Sequence, residues 1–202
     1  MEKLQLIYPL KKGFLTTQRF GETRNLQIYK DNNIQIVGHN GVDYGRDVPI
    51  FRGEPVYAAH DGVAYISTDN KEGCGVVIRT DKPFYYNDEV NCYYKTIYWH
   101  LLPNIPLRNG QSVSTGDLIG YADNSGLSTG DHLHFGLKPQ LINEDNGIWY
   151  NVEQTNGYLG AISPDSYWSG YYPEDIKTLL KIKSIAEQII NLLKNYLTKN
   201  SK

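Results

Sequence analysis

Apolar and polar positions alternate in short runs over the first 172 residues, and the period then changes. "FLTTQRFG" (14–21) alternates loosely, and "PVYAAHDGVAYIST" (55–68) reads as a hairpin or corner turning at Asp61-Gly62. "CGVVIRT" (74–80) and "YYKTIYWHL" (93–101) are β-branched and aromatic runs, separated by "DKPFYYNDEVN", which reads as a long hairpin loop. "NGQSVSTGDLIGYA" (109–122) carries turn signals at Asn109-Gly110 and Gly116-Asp117, and "HLHFGL" (132–137) predicts a further strand. Short strands at this spacing predict an antiparallel sheet or sandwich rather than alternating strands and helices.

From Pro173 the period is helical. Pro173 suits the first helical position, with Glu174 and Asp175 in the first turn. One apolar stripe runs Ile182, Ile185, Ile189, Leu192, Tyr196, and a second runs Leu179, Ala186, Ile190, Leu193, Leu197. Together they cover more than half of the helix, which therefore needs cover. It is expected to pack on its own domain, on a second copy or on a partner, with a membrane surface as the other reading. The chain thus divides into a domain over 1–172 and an amphipathic helical appendage over 173–202.

Composition narrows the function classes. Seventeen tyrosines and nineteen glycines in 202 residues agree with strands and tight turns. A net charge of −2 argues against general nucleic-acid binding. Residues 177–202 hold six lysines and one acid, so that stretch carries +5 and the remainder −7. The N-terminal run "MEKLQLIYPLKK" lacks the form of a secretory signal, and no stretch is long and apolar enough to span a membrane. Cys74 and Cys92 can close at most one disulfide, and their spacing matches no zinc pattern.

The five histidines carry the candidate chemistry. In a strand, His132 and His134 would point to one face, roughly 6–7 Å apart, with Leu133 turned into the core. Taken alone, that pair reads as two exposed polar side chains rather than a site. His39 and Asp43 are four apart in "GHNGVDYG", where the glycines favour a loop entering a strand over a helix. His100 ends the strand "IYWHL". His60 falls at a predicted turn and reads as ordinary surface.

The order H-x-x-x-D, then "YWHL", then H-x-H resembles the lysostaphin/LytM-type zinc metallopeptidases, which cleave the peptides of bacterial peptidoglycan. "TQRFG" (17–21), "HNGVDYG" (39–45), "EPVYAAHDGVA" (54–64), "NGQSVSTGDLIGYADNSGLSTGDHLHFGL" (109–137) and "AISPDSYW" (161–168) extend the resemblance over about residues 8–168. It implies a mostly antiparallel β domain with an open groove. It also implies one zinc ion per chain on His39, Asp43 and His134, with His132 and His100 as catalytic histidines that do not bind the metal. The groove walls are expected in 22–38 and 81–92. Asp131 stands where the family has proline, Gly136 where a larger residue is usual, and Trp99 where a small one is; the 81–91 loop is long. These departures bear on groove shape and substrate preference.

The implied activity is hydrolysis of peptidoglycan cross-links, with an extracellular, cell-wall site of action. The lack of a signal sequence suits a phage-encoded or virion-associated hydrolase, or an enzyme trimmed of its leader. The competing expectation is a catalytically silent binding or structural protein that keeps the fold, such as a phage tail component or assembly factor.

Overall fold

The structure is a computed structural model and describes residues 1–46, 51–69, 71 and 73–199. Its elements are β1 (Leu15–Gln18), α1 (Leu26–Asp31), β2 (Val42–Gly45), β3 (Pro55–Tyr57), β4 (Gly62–Asp69), β5 (Gly73–Arg79), β6 (Phe84–Tyr85), β7 (Asn91–Trp99), β8 (Gln111–Val113), β9 (Leu118–Tyr121), β10 (Leu133–Ile142), β11 (Trp149–Asn151) and α2 (Pro173–Lys199). A nine-stranded sheet runs β1-β2-β10-β7-β5-β4-β8, with β11 added to β10 and β6 to β7. β3 and β9 form a separate pair. All of these pairings are antiparallel, so the predicted mainly-β class holds. Because β3 pairs with β9 and β4 with β5, residues 55–68 turn a corner at Asp61-Gly62 rather than fold back as a hairpin.

Strand periodicity explains the core. Along β7, Cys92, Tyr94, Thr96 and Tyr98 face inward at 0 % exposure, while Tyr93 and Lys95 between them are partly open. Leu133, Phe135 and Leu137 of β10 are likewise fully buried, each stabilising the fold by about 1.5–3 kcal/mol relative to an exposed side chain. Leu133 is the core residue its position between two histidines predicts.

Some features depart from the sequence reading. The loop 81–91 contains β6, which pairs with β7 and meets the N-terminal segment through Lys3 and Tyr85. That segment is itself core, with Leu4, Leu6, Ile7 and Leu10 all buried. His60 is buried as well, not on the surface. Its Nδ1–H donates to the Asp61 carbonyl (2.7 Å) and its Nε2 accepts from the Thr96 hydroxyl (2.9 Å). Cys74 and Cys92 are free, buried thiols.

The helix α2 begins at Pro173, as predicted, with Glu174 and Asp175 in its first turn. The Asp175 carboxylate accepts from the Tyr172 amide (2.9 Å) and pairs with Lys12 (3.1 Å). Ile176 packs beside Gly116 and Ile7. From residue 178 to 198 every residue is exposed, so the expected packing on its own domain stops after the first turn. No helix among the described residues is long and apolar enough to cross a membrane.

Candidate metal centre and cleft

Strand register assembles the site. In the β2–β10 ladder Asp43 lies directly opposite His134, and on the other flank of β10 His134 lies opposite Trp99. His100 follows Trp99 at the end of β7, and His132 precedes β10 in a bridge with Asp123. His39 arrives from the loop before β2. One row of the sheet therefore gathers all five predicted site residues.

Three of them converge. His39 Nε2 lies 3.0 Å from His134 Nδ1 and 3.2 Å from Asp43 Oδ1, and His134 Nδ1 lies 3.0 Å from the same oxygen. Four-coordinate zinc with bonds of about 2.0–2.1 Å holds neighbouring donors roughly 3.3 Å apart. The three atoms form a triangle close to that size, and imidazole and carboxylate are both zinc donors. Of the His/Cys/Asp/Glu groupings among the described residues, this is the one that can hold a metal ion. His39 donates Nδ1–H to the Arg19 carbonyl (3.3 Å), which leaves the Nε2 lone pair pointing at the cluster.

The other two histidines are held in the same sense. His100 donates Nδ1–H to the Ser125 carbonyl (2.6 Å), and His132 donates Nδ1–H to the Gly130 carbonyl (2.8 Å). Each then presents a bare Nε2. Their rings are 4.5 Å apart, and His132 Nε2 lies 3.6 Å from Asp43 Oδ2. His100 adopts φ 63°, a left-handed conformation that a histidine rarely takes and that marks a constrained position.

Burial sets the charge states. It pushes the His100 imidazolium down to about 4, with His132 and His134 adding to the shift. Burial also lowers His134, against the opposing pull of Asp43. For Asp43, burial acts upward, but hydrogen bonds to His134 and His39 outweigh it and hold the carboxyl well below the usual range.

Two glycines make the site compact. A Cβ on Gly41 would stand 2.6 Å from His134 Cε1 and 2.6 Å from the Phe135 carbonyl oxygen. A Cβ on Gly75 would collide with the Trp99 ring, so Gly75 is what makes room for the bulky Trp99. At Gly136, the other departure, a Cβ would meet only Ile97 and the Asn40 carbonyl at 3.4 Å or more.

The cleft over this row is walled by Ile28, Tyr29, Ile34, Ile36, Trp99 and Leu127, beside Asp43, His100, His132 and His134. The segment 22–38 is thus a wall, as expected. No residue of 81–92 lines it, because β6 ties that loop to the N-terminal segment instead. Tyr29 on α1 escaped the sequence reading. Burial and then Asp43 push its hydroxyl up to about 12, so it stays a proton donor at neutral pH.

Comparison with known proteins finds relatives of this fold. The sequence profile described as peptidase family M23 matches residues 38–146. The chain is 33% identical over 131 residues to peptidoglycan DD-endopeptidase ShyA of Vibrio cholerae, covering 64% of this chain and 26% of that one. It is 35% identical over 104 residues to ShyB of the same organism, covering 50% and 20%. Among solved structures, a zinc-containing peptidase from Vibrio cholerae superposes with a TM-score of 0.51 at 28% identity, covering 81% of this chain and 41% of that one. The chain spans about a quarter of the length of these curated relatives.

Proposed function

We infer the function from one premise: the chain belongs to peptidase family M23. The reading is a zinc-dependent endopeptidase that hydrolyses peptide cross-links of bacterial peptidoglycan, acting at the cell wall. The observation that carries it is the convergence of His39 Nε2, Asp43 Oδ1 and His134 Nδ1 beside two histidines with bare Nε2 atoms.

His39, Asp43 and His134 would hold the zinc, and a set of three protein donors is that of a catalytic rather than a structural site. When bound, zinc supplies Lewis acidity toward water and toward the carbonyl of the scissile amide. His100 and His132 move protons. One takes the proton of the attacking water on its bare Nε2, and that same proton then reaches the departing amine, directly or through the other ring 4.5 Å away, so the products are a carboxylic acid and an amine. The Tyr29 hydroxyl is a donor available to the developing oxyanion. The apolar wall formed by Ile34, Ile36, Trp99 and Leu127 favours a cross-link that bears side chains over a run of glycines. That preference is in keeping with the DD-endopeptidase relatives.

The test is release of dye from labelled peptidoglycan by zinc-loaded protein, with and without chelator. Release that chelator abolishes and added zinc restores supports the reading. One zinc per chain with no cleavage of any cross-link type supports the silent binding protein instead.

A further inference from the structure

The apolar cleft has a polar neighbour. A second cleft is lined by Thr17, Gln18, Arg24, Arg46 and Asp131, and it shares Asn25, Asp43, Thr129 and His132 with the first. The two meet at the metal-donor carboxylate and one of the free histidines. A substrate whose scissile bond sits there must extend into both.

The polar cleft holds two donors with nothing to donate to. Gln18 is 3 % exposed; its Oε1 accepts from Asn25 Nδ2 (2.7 Å), while its Nε2 has no partner. Arg46 donates from Nη2 to Glu54 (3.3 Å), and its buried Nε has no partner. Buried N–H groups without acceptors are a net cost to the folded state and rare for that reason. Both belong to side chains that line one cleft beside the metal donors, which points to an acceptor that arrives with a ligand and meets them as those side chains shift toward it.

Charge decides which acceptor. Arg24 is paired with Glu22 (3.3 Å), Arg46 with Glu54 (3.3 Å), and Asp131 adds a further carboxylate. Both arginines are countered, so an incoming carboxylate gains little and meets Asp131. A neutral amide carbonyl has no such penalty. We propose that this cleft is a backbone-binding subsite in which Gln18 Nε2 and Arg46 Nε hold amide carbonyls of the substrate peptide on one side of the scissile bond. The proposal rests on the peptidase reading of the site. The substrate's side chains are then selected on the apolar side and left largely unread on the polar side.

The experiment uses the full, zinc-loaded chain, a soluble cross-linked muropeptide, and the variants Gln18→Met and Gln18→Glu. Both remove the donor, and Gln18→Glu keeps an acceptor for Asn25. KM should rise about tenfold in each, with kcat within about threefold, the signature of lost uniform binding. The thermal midpoint of Gln18→Met should stay within about 5 °C of the parent, because losing the orphaned buried donor offsets losing the Asn25 hydrogen bond. An unchanged KM in both variants overturns the proposal. So does a midpoint lowered by more than about 5 °C in Gln18→Met, which would give the amide a structural role. A parent chain that binds zinc and cleaves nothing refutes the peptidase reading itself, and the subsite with it.

Discussion

The cleft and the far part of α2 break the usual distribution of polarity in opposite directions. In the cleft, Asp43, His39 and His100 are 8 %, 0 % and 7 % exposed, and each is held by specific hydrogen bonds. Along α2, Ile182, Ile189 and Leu192 are 58 %, 51 % and 68 % exposed. Buried polar groups cost free energy unless their partners are in place. Exposed apolar side chains forgo roughly 1.5–3 kcal/mol each that burial would supply. In the proposed function the first region closes around a cation and a substrate, and the second needs another surface to cover it. The difference is legible in construction: the cleft is fixed by strand register and carbonyl contacts, whereas α2 meets the domain near its start, through Asp175, Ile176 and Lys177.

The largest effects should come from breaking the cleft. Replacing His39, Asp43 or His134 by Ala should abolish zinc retention and peptidoglycan cleavage together, measured by metal analysis and dye release. Replacing His132 or His100 by Ala should leave about one zinc per chain and lower the rate by roughly 10²–10⁴. A His132→Ala protein that lost its zinc would move His132 into the ligand set and redraw the division of roles.

Gly41→Ala tests whether the donor triangle depends on backbone proximity. The new Cβ must displace the His134 ring or the Phe135 carbonyl. Zinc affinity should fall by about 10–100-fold, the usual penalty for disturbing groups that orient metal ligands. Competition with a chromophoric chelator measures it. Unchanged affinity would show that the site tolerates movement of β10 against the loop before β2.

The cleft was largely legible in the sequence and α2's surroundings were not. His39, Asp43, His100, His132 and His134 stand in an order whose strand register brings them together, and alternation predicted Leu133 inward. The segment 22–38 was legible as a wall, but the place of Tyr29 in it was not, because α1 is only six residues and half-polar. The burial of His60 was missed because its neighbour Asp61 signals a turn. What satisfies His60 is the Thr96 hydroxyl, 36 positions away in sequence and invisible to local pattern. The helical period of α2 was plain, but periodicity says only that a face needs cover.

His60 is a buried polar group that needs no ligand. Burial lowers its pKa from 6.5 to about 4, only partly opposed by its hydrogen bond to Asp61. The unfolded chain therefore binds a proton at higher pH than the folded one. The stability from neutral His60 is complete above about pH 6.5 and drains away between there and pH 4, by up to about 3 kcal/mol. Denaturant titrations across that range should show a steeper loss in the parent than in His60→Gln. Parallel profiles would mean that the Thr96 contact persists with a charged ring.

The smallest expected effect on stability tests the other half of the comparison. Removing residues 178–202 keeps the Lys12–Asp175 pair and Ile176, and deletes only exposed residues among those described. The thermal midpoint should change by less than about 2 °C, because no core contact is lost. Self-association should change far more. A helix with apolar stripes over more than half its surface is expected to associate in water, so light scattering should report a higher mass for the full chain and a monomer for the truncated one. Two monodisperse monomers of equal solubility would show that α2 tolerates its exposure, and the contrast with the cleft would then be one of composition alone. A midpoint that fell by many degrees would show instead that α2 covers part of the domain, which its exposure over 178–198 argues against.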